Sequence, residues 1–264
     1  MEENFTLSIN ASIVAGLEIM DIYKGDIEVE FKADNSPLTI ADKNSNLVIS
    51  NALETTGIPI LSEEGREVPY EEREKWDLFW MVDPLDGTKE FIKGNGEFTV
   101  NIALMKGGKP LFGVIYVPVV KALYFGGKSF GSYKIENINT EKEHYQVFLE
   151  MAKSLPYKAK NEKYTMIGSR SHMSEETEAY FNKVKKEQGE IEVFSAGSSL
   201  KLCLVAEGTA DEYPRFAPTM EWDTAAGQAI LEGAGKKLTH YKSGASMKYN
   251  KVNLLNDWFV AESH

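Results

Sequence analysis

Leu78-Phe79-Trp80-Met81-Val82 is uniformly apolar, and the five residues after it are Asp83-Pro84-Leu85-Asp86-Gly87. A run this short and this apolar is the pattern of a strand buried on both faces. Any fold for the chain must therefore pass a strand through its core and release two carboxylates at its end. Proline at 84 lacks a ladder donor and glycine at 87 accepts a positive φ, so a turn is expected over Asp83 to Gly87, with Thr88 capping a helix from Lys89. A lone D-x-x-D-G is ordinarily just a turn former. The buried arm changes that reading, because carboxylates at a core strand end are costly unless a cation compensates them.

The rest of the chain supplies a mixed α and β background. Helices are expected over Ile9 to Lys24 and Ala41 to Thr56, with a strand through Ile27, Val29 and Phe31 between them and a short one at Ile58 to Leu61. Runs at Phe98 to Met105, Leu111 to Val117 and Ala122 to Phe125 read as an antiparallel meander. Glu136 to Tyr157 is polar and weakly patterned, and an exposed connection or domain boundary is expected there. Beyond it, strands at Tyr164 to Gly168, Ile191 to Phe194, Ala210 to Tyr213, near Leu238 and at Trp258 to Ala261 alternate with helices. Those helices are Ser174 to Gln188, capped by Ser174, Ser198 to Glu207, and Trp222 to Glu232. The fold class is thus α+β passing into α/β: a meander half, residues 1–150, followed by a mixed-sheet half, residues 151–264.

Further acidic residues recur at element ends. Glu63 and Glu64 follow the apolar Ile58 to Leu61, Asp223 opens a small-residue helix, and Asp42 opens another. Carboxylates without a histidine or cysteine cluster favour hard, oxygen-loving cations, Mg²⁺ above zinc. Cys203, the one cysteine, lies in an apolar run and reads as a buried structural thiol. A net charge of -11 excludes a broad nucleic-acid-binding face. Met1-Glu2-Glu3-Asn4 is not the basic start of a signal peptide, and no run is expected to reach the roughly eighteen apolar residues that span a bilayer. The cytoplasm is the expected location.

The segments "LSEE" (Leu61 to Glu64), "DPLDGTKEFIKGNGEFTVNIAL" (Asp83 to Leu104), "GSRSH" (Gly168 to His172), "GSSLKLCLVAEGTADEYPRF" (Gly197 to Phe216) and "WDTAAG" (Trp222 to Gly227) resemble the inositol monophosphatase superfamily. Within it they are most similar to the CysQ-type 3'(2'),5'-bisphosphate nucleotidases. The resemblance implies a layered α-β-α-β-α sugar-phosphatase fold and a lithium-sensitive phosphatase with two or three Mg²⁺. It implies Glu63, Asp83, Asp86, Asp223 and the Leu85 carbonyl as metal ligands, Glu64 lying outside that set. Asp42 and Thr88 match the pair that activates the attacking water, so Glu63, Asp42 and Thr88 carry the catalytic role. His172, Ser198, Lys201 and Arg215 are implied contacts to the nucleotide or its second phosphate. The amides of Gly87, Thr88 and Lys89 can meet a phosphate at a helix start.

Three features favour a bisphosphorylated nucleotide over an inositol phosphate. Lys89 follows "DGT", where inositol monophosphatases usually carry an uncharged residue. Ser198 and Lys201 lie three apart, and Arg215 between aromatic residues suits planar phosphate contact. The expected reaction is hydrolysis of 3'-phosphoadenosine 5'-phosphate to AMP and phosphate, in support of sulfur assimilation. An inositol or sugar phosphate phosphatase is the nearest alternative, and a non-catalytic divalent-metal-binding module the more distant one. Expected partners are a small phosphorylated nucleotide and, if anything, a second copy of the chain; relatives associate peripherally with the inner membrane surface.

Overall fold

A computed structural model describes residues 1–25, 29–31, 37–140, 142–158, 162–169 and 174–262. In chain order its elements are α1 (Glu2–Tyr23), β1 (Val29–Phe31), β2 (Pro37–Thr39), α2 (Ile40–Glu54), β3 (Ile60–Ser62), α3 (Tyr70–Arg73), β4 (Leu78–Asp86), α4 (Thr88–Ile92), β5 (Thr99–Lys106), β6 (Lys109–Val117), β7 (Ala122–Gly127) and β8 (Gly131–Ile135). There follow α5 (Tyr145–Met151), β9 (Lys153–Ser154), β10 (Tyr164–Ser169), α6 (Glu175–Gln188), β11 (Ile191–Ala196), α7 (Leu200–Glu207), β12 (Glu212–Arg215), α8 (Glu221–Gly233), β13 (Lys237–His240) and β14 (Phe259–Glu262).

β3 to β9 form a seven-stranded sheet in sequence order, with β3 parallel to β4 and every other neighbour antiparallel. The second sheet is mixed, in the order β11-β10-β12-β14-β13. Period-two alternation explains how the first sheet is buried on both faces. Trp80, Val82, Val100, Ile102 and Leu104 face a core with α1 and α2, while Phe79, Met81, Ala103 and Met105 face a second core with α7 and α8. The second sheet closes that core from beyond, and α6 covers its outer face through Phe181 and Val184 on Met166. The layers are α-β-α-β-α, as expected.

Several local expectations are corrected. β4 does not turn at Asp83; it runs on to Asp86 through a bulge, since Asp83 pairs with Asn101 and Asp86 with Thr99. Three steps on one strand against two on the other leave one extra residue, and Pro84 sits in that gap, where a missing N–H costs no ladder bond. The Pro84 carbonyl accepts the Ser45 hydroxyl at 2.6 Å. Gly87, at φ 95°, makes the turn and is itself the N-cap of α4 in place of Thr88. The 136–157 stretch is no exposed connection: it contains α5 and β9, and Ile138, Tyr145, Phe148 and Leu155 are buried. Three residues' spacing on one short helix turns Tyr145 and Phe148 inward together. β12 starts two residues later than expected, so Arg215 lies on a strand and not on a turn.

α1 starts earlier than expected because Phe5 and Ser8 extend its buried stripe. Its mean hydropathy of 1.4 makes it long and apolar enough to cross a membrane, contrary to the expectation that no stretch would be. Half of that window is nonetheless buried inside the fold, with Phe5, Ile9, Ile13 and Ile19 in the core. Cys203 is fully buried, and burial pushes its thiol well up from the usual range.

Candidate metal centre

Three elements deliver carboxylates to one point. Glu63 follows the last residue of β3, and its N–H continues the ladder to the Val82 carbonyl at 3.1 Å. Asp83 opens the β4 bulge, where its Oδ1 accepts the Leu85 N–H at 3.2 Å. Asp223 lies in the first turn of α8, and its Oδ2 accepts the Met220 N–H at 2.8 Å. One ligand oxygen from each of Glu63, Asp83 and Asp223 lies within 4.8 Å of the other two. Burial, then the charges of Glu63, Asp86, Asp223 and Asp42, pushes the Asp83 carboxyl well above the ordinary range. Burial and the charges of Asp86 and Glu63 raise Asp223 likewise, against the pull of the Met220 N–H and Arg215. An all-oxygen set of one buried and two half-buried carboxylates under mutual repulsion fits a hard divalent cation such as Mg²⁺.

Asp86 is not one of this compact trio, but its charge acts on both Asp83 and Asp223. Its Oδ2 accepts the Ser199 N–H at 2.5 Å, with Ser199 Oγ at 2.6 Å. The Leu85 carbonyl, at the base of the bulge, lies 3.4 Å from Thr88 Oγ1.

Asp42 and Thr88 meet as expected: Thr88 Oγ1 donates to Asp42 Oδ1 at 3.0 Å. Asp42 Oδ2 is held by the Thr39 N–H at 2.7 Å and the Thr39 hydroxyl at 2.6 Å. Thr39 was not singled out from the sequence, although Thr39-x-x-Asp42 has the three-residue spacing of a helix N-terminal box.

Beside the carboxylates opens a cleft of about 140 Å³, lined by Asp86, Gly87, Ser198, Lys201, Arg215 and Asp223 among others. Lys201 is buried against the Tyr213 ring, and its Nζ donates to the Ser198 carbonyl at 2.5 Å. Burial pushes its ammonium down to about 8, with Arg215 adding to the effect and Asp86, Glu90 and Asp223 opposing it. Arg215 is buried, and its Nη2 donates to the Pro218 carbonyl at 3.1 Å. Ser198, at φ 46°, precedes the α7 cap, which is Ser199. The structure does not bring Lys89 into the cleft; Lys89 is exposed, and its neighbour Glu90 is the buried lining residue. His172 lies outside the described residues.

The inositol monophosphatase family model matches residues 1–263. The 3'(2'),5'-bisphosphate nucleotidase CysQ of Salmonella typhimurium is 43% identical over 250 residues, covering 93% of this chain and 94% of that protein. The CysQ of Buchnera aphidicola is 40% identical over 256 residues, covering 94% of this chain and 89% of its own length. Among solved structures, CysQ from Bacteroides thetaiotaomicron, a bacterial member of the same family, superposes with a TM-score of 0.92 at 48% identity, covering 100% of this chain and 98% of that one. SuhB from Bartonella henselae shares the fold, with a TM-score of 0.76 at 23% identity over 98% of this chain and 93% of its own.

Proposed function

This chain belongs to the inositol monophosphatase family, and from that premise we propose that it is a Mg²⁺-dependent phosphatase hydrolysing 3'-phosphoadenosine 5'-phosphate to AMP and phosphate. The observation that carries the reading is the cleft itself. Its lining brings the carboxylates of Asp86 and Asp223 and two buried basic side chains, Lys201 and Arg215, around one space, with Glu63 and Asp83 gathered about Asp223. A substrate with one phosphate to lose and a second to be held matches that pairing. Relatives named as 3'(2'),5'-bisphosphate nucleotidases support the same assignment.

Glu63, Asp83, Asp86, Asp223 and the Leu85 carbonyl would hold the cations, two or three in number. When bound, Mg²⁺ supplies a lowered pKa for a nucleophilic water and neutralises the charge on the phosphoryl oxygens. The protein's own residues orient the reactants. Thr88 points its hydroxyl proton at Asp42, so an oxygen lone pair remains to accept a hydrogen bond from the attacking water and orient it. Thr39 fixes Asp42 from behind, which keeps that acceptor in one place through an in-line displacement. Arg215 and Lys201 hold the non-scissile phosphate, Ser198 and His172 adjoin the nucleotide, and the Gly87 to Lys89 amides face the scissile group. The division near residue 150 thus has a functional sense: the first half carries most cation ligands, the second the nucleotide contacts and Asp223. The proposal extends to lithium sensitivity, a cytoplasmic location and a role in clearing the by-product of sulfate activation, as the family resemblance implies.

A phosphate-release panel over adenosine 3',5'-bisphosphate, inositol 1-phosphate and fructose 1,6-bisphosphate, with and without Mg²⁺, tests it. The expected result is a kcat/KM highest for the nucleotide and abolished by EDTA. Preference for inositol 1-phosphate would overturn the substrate; undiminished release in EDTA would overturn the metal chemistry.

A further inference from the structure

Asp86 is held differently from the other carboxylates of the centre. Its Oδ2 accepts the Ser199 N–H at 2.5 Å, lies 2.6 Å from Ser199 Oγ, and has Asn101 Nδ2 at 3.5 Å. The same Ser199 oxygen lies 2.6 Å from the main-chain oxygen of Asp223 and accepts Asn101 Nδ2 at 2.9 Å. One hydroxyl proton is therefore shared between the Asp86 carboxylate and the Asp223 carbonyl. Behind it, Thr99 Oγ1 donates to Asn101 Oδ1 at 2.9 Å, which fixes the amide with its NH₂ toward Ser199 and Asp86. Thr99, Asn101 and Ser199 are all buried.

The topology makes this arrangement specific to the site. Thr99 and Asn101 stand two apart on β5, hence on one face, and they are the very residues paired with Asp86 and Asp83 across the bulge. Ser199 is the cap of α7, and Asp223 is in the first turn of α8. The chain of bonds thus ties the seven-stranded sheet, α7 and α8 together at the point where the cation ligands converge.

We propose that Ser199, oriented by Asn101 and Thr99, is a positioning residue for the metal centre: it occupies Asp86 Oδ2, leaves Oδ1 as the oxygen Asp86 offers a cation, and sets the separation of Asp86 from the helix bearing Asp223. The proposal rests on the reading of this centre as a Mg²⁺ site. A carboxylate oxygen that already accepts the Ser199 donors is a poorer ligand than its free twin, so the serine selects the ligating atom as well as its direction. Hydrogen-bonding partners of metal ligands are commonly worth about 10- to 100-fold in metal affinity or activity.

The test is calorimetric titration of Mg²⁺ into the full chain without substrate, so that it does not depend on which phosphate ester is cleaved. Ser199→Ala is expected to weaken Mg²⁺ binding about tenfold or more. Thr99→Val keeps the side-chain shape and removes only the distal donor, and should weaken it about threefold. Wild-type Mg²⁺ affinity in both variants would overturn the proposal. Should Ser199→Ala fail to fold, unchanged affinity in Thr99→Val alone would overturn it, and a threefold loss would sustain it. A substrate panel that favours another ester leaves these outcomes untouched, whereas a wild-type protein that binds no Mg²⁺ removes the centre and this inference together.

Discussion

Asp83 is 1% exposed and shares its surroundings with four other carboxylates. Its raised pKa means that the metal-free folded chain holds a proton to higher pH than the unfolded chain does. Stability of the metal-free protein is therefore lost as pH rises from the ordinary carboxylate range through that raised value, and a bound cation reverses the loss. Asp83→Asn should abolish turnover yet raise the melting temperature in EDTA at neutral pH by about 2–4 °C for each kcal/mol of repulsion relieved; a lower melting temperature in EDTA, or retained turnover, would contradict this. Lys201 has the opposite sense. Its pKa, pushed down to about 8 by burial first and Arg215 next, makes it neutral above that pH, so KM for the bisphosphate should climb as pH passes 8. Folding responds oppositely, because between about 8 and the unfolded lysine value the unfolded chain binds more protons, and stability rises with pH there. A pH–KM profile of wild type against Lys201→Gln checks it, with the variant expected to be flat. The acidic residues were legible because each stands at the end of an element, Glu63 and Asp83 after apolar runs and Asp42 and Asp223 in first turns of helices. Side-chain direction was not: Lys89 and Glu90 are neighbours on a helix, about 100° apart, and only packing decides that Glu90 faces the cleft.

Element boundaries followed the same rule. β4 to β7 were readable from apolar runs and glycine-rich turns, since each strand is filled on both faces. α5 and β9 were not, because a seven-residue helix held by two aromatic anchors leaves almost no periodic signal. The β4 bulge reads as a turn in the sequence for a related reason: proline rules out a ladder bond but does not reveal that the ladder resumes two residues later. The contact of β6 with α8 makes a sharper demand. A Cβ on Gly113 would lie 2.3 Å from the Ala226 carbonyl oxygen and 2.8 Å from its Cα, both backbone atoms of the helix that carries Asp223. Gly113→Ala must push strand and helix apart, at about 1–3 kcal/mol of stability. The displacement should cut kcat/KM at least about tenfold, since small misplacements of reacting groups are costly. Denaturant unfolding and steady-state kinetics on this variant check both effects; wild-type values in each would show that the helix can give way without disturbing the site.

Across the whole molecule, the two sheets share one core. Met81, Met105, Ile115 and Tyr124 from the first meet Tyr213, Leu238 and Phe259 from the second, with α7 and α8 between. A buried polar cluster pins the same interface. Lys134 Nζ on β8 lies 2.8 Å from Glu207 Oε2 on α7, and the Tyr124 and Tyr157 hydroxyls donate to that same oxygen at 3.1 and 3.0 Å. Among the described residues, Lys134→Met leaves buried Glu207 the more exposed Lys158, 3.6 Å away, as its remaining cation. The expected loss is about 3 kcal/mol, at the low end for a buried pair broken from one side, measured by denaturant titration. Wild-type stability would mean that the tyrosines, Thr209 and Lys158 together suffice for Glu207. The sequence by itself determined the kinds of group present: a strand ending in carboxylates, the Asp42–Thr88 pairing by resemblance, the buried cysteine and the two-stage order of strands and helices. Those are local properties, set by side-chain chemistry and by periods of two and 3.6 residues. Only the tertiary structure decided which oxygens converge. Glu63, Asp83 and Asp223 come from distant points in the chain, and their separation is fixed by packing shared between two sheets. That same packing aims Ser199 at one oxygen of Asp86 and sends Lys89 to solvent, choices that no periodicity encodes.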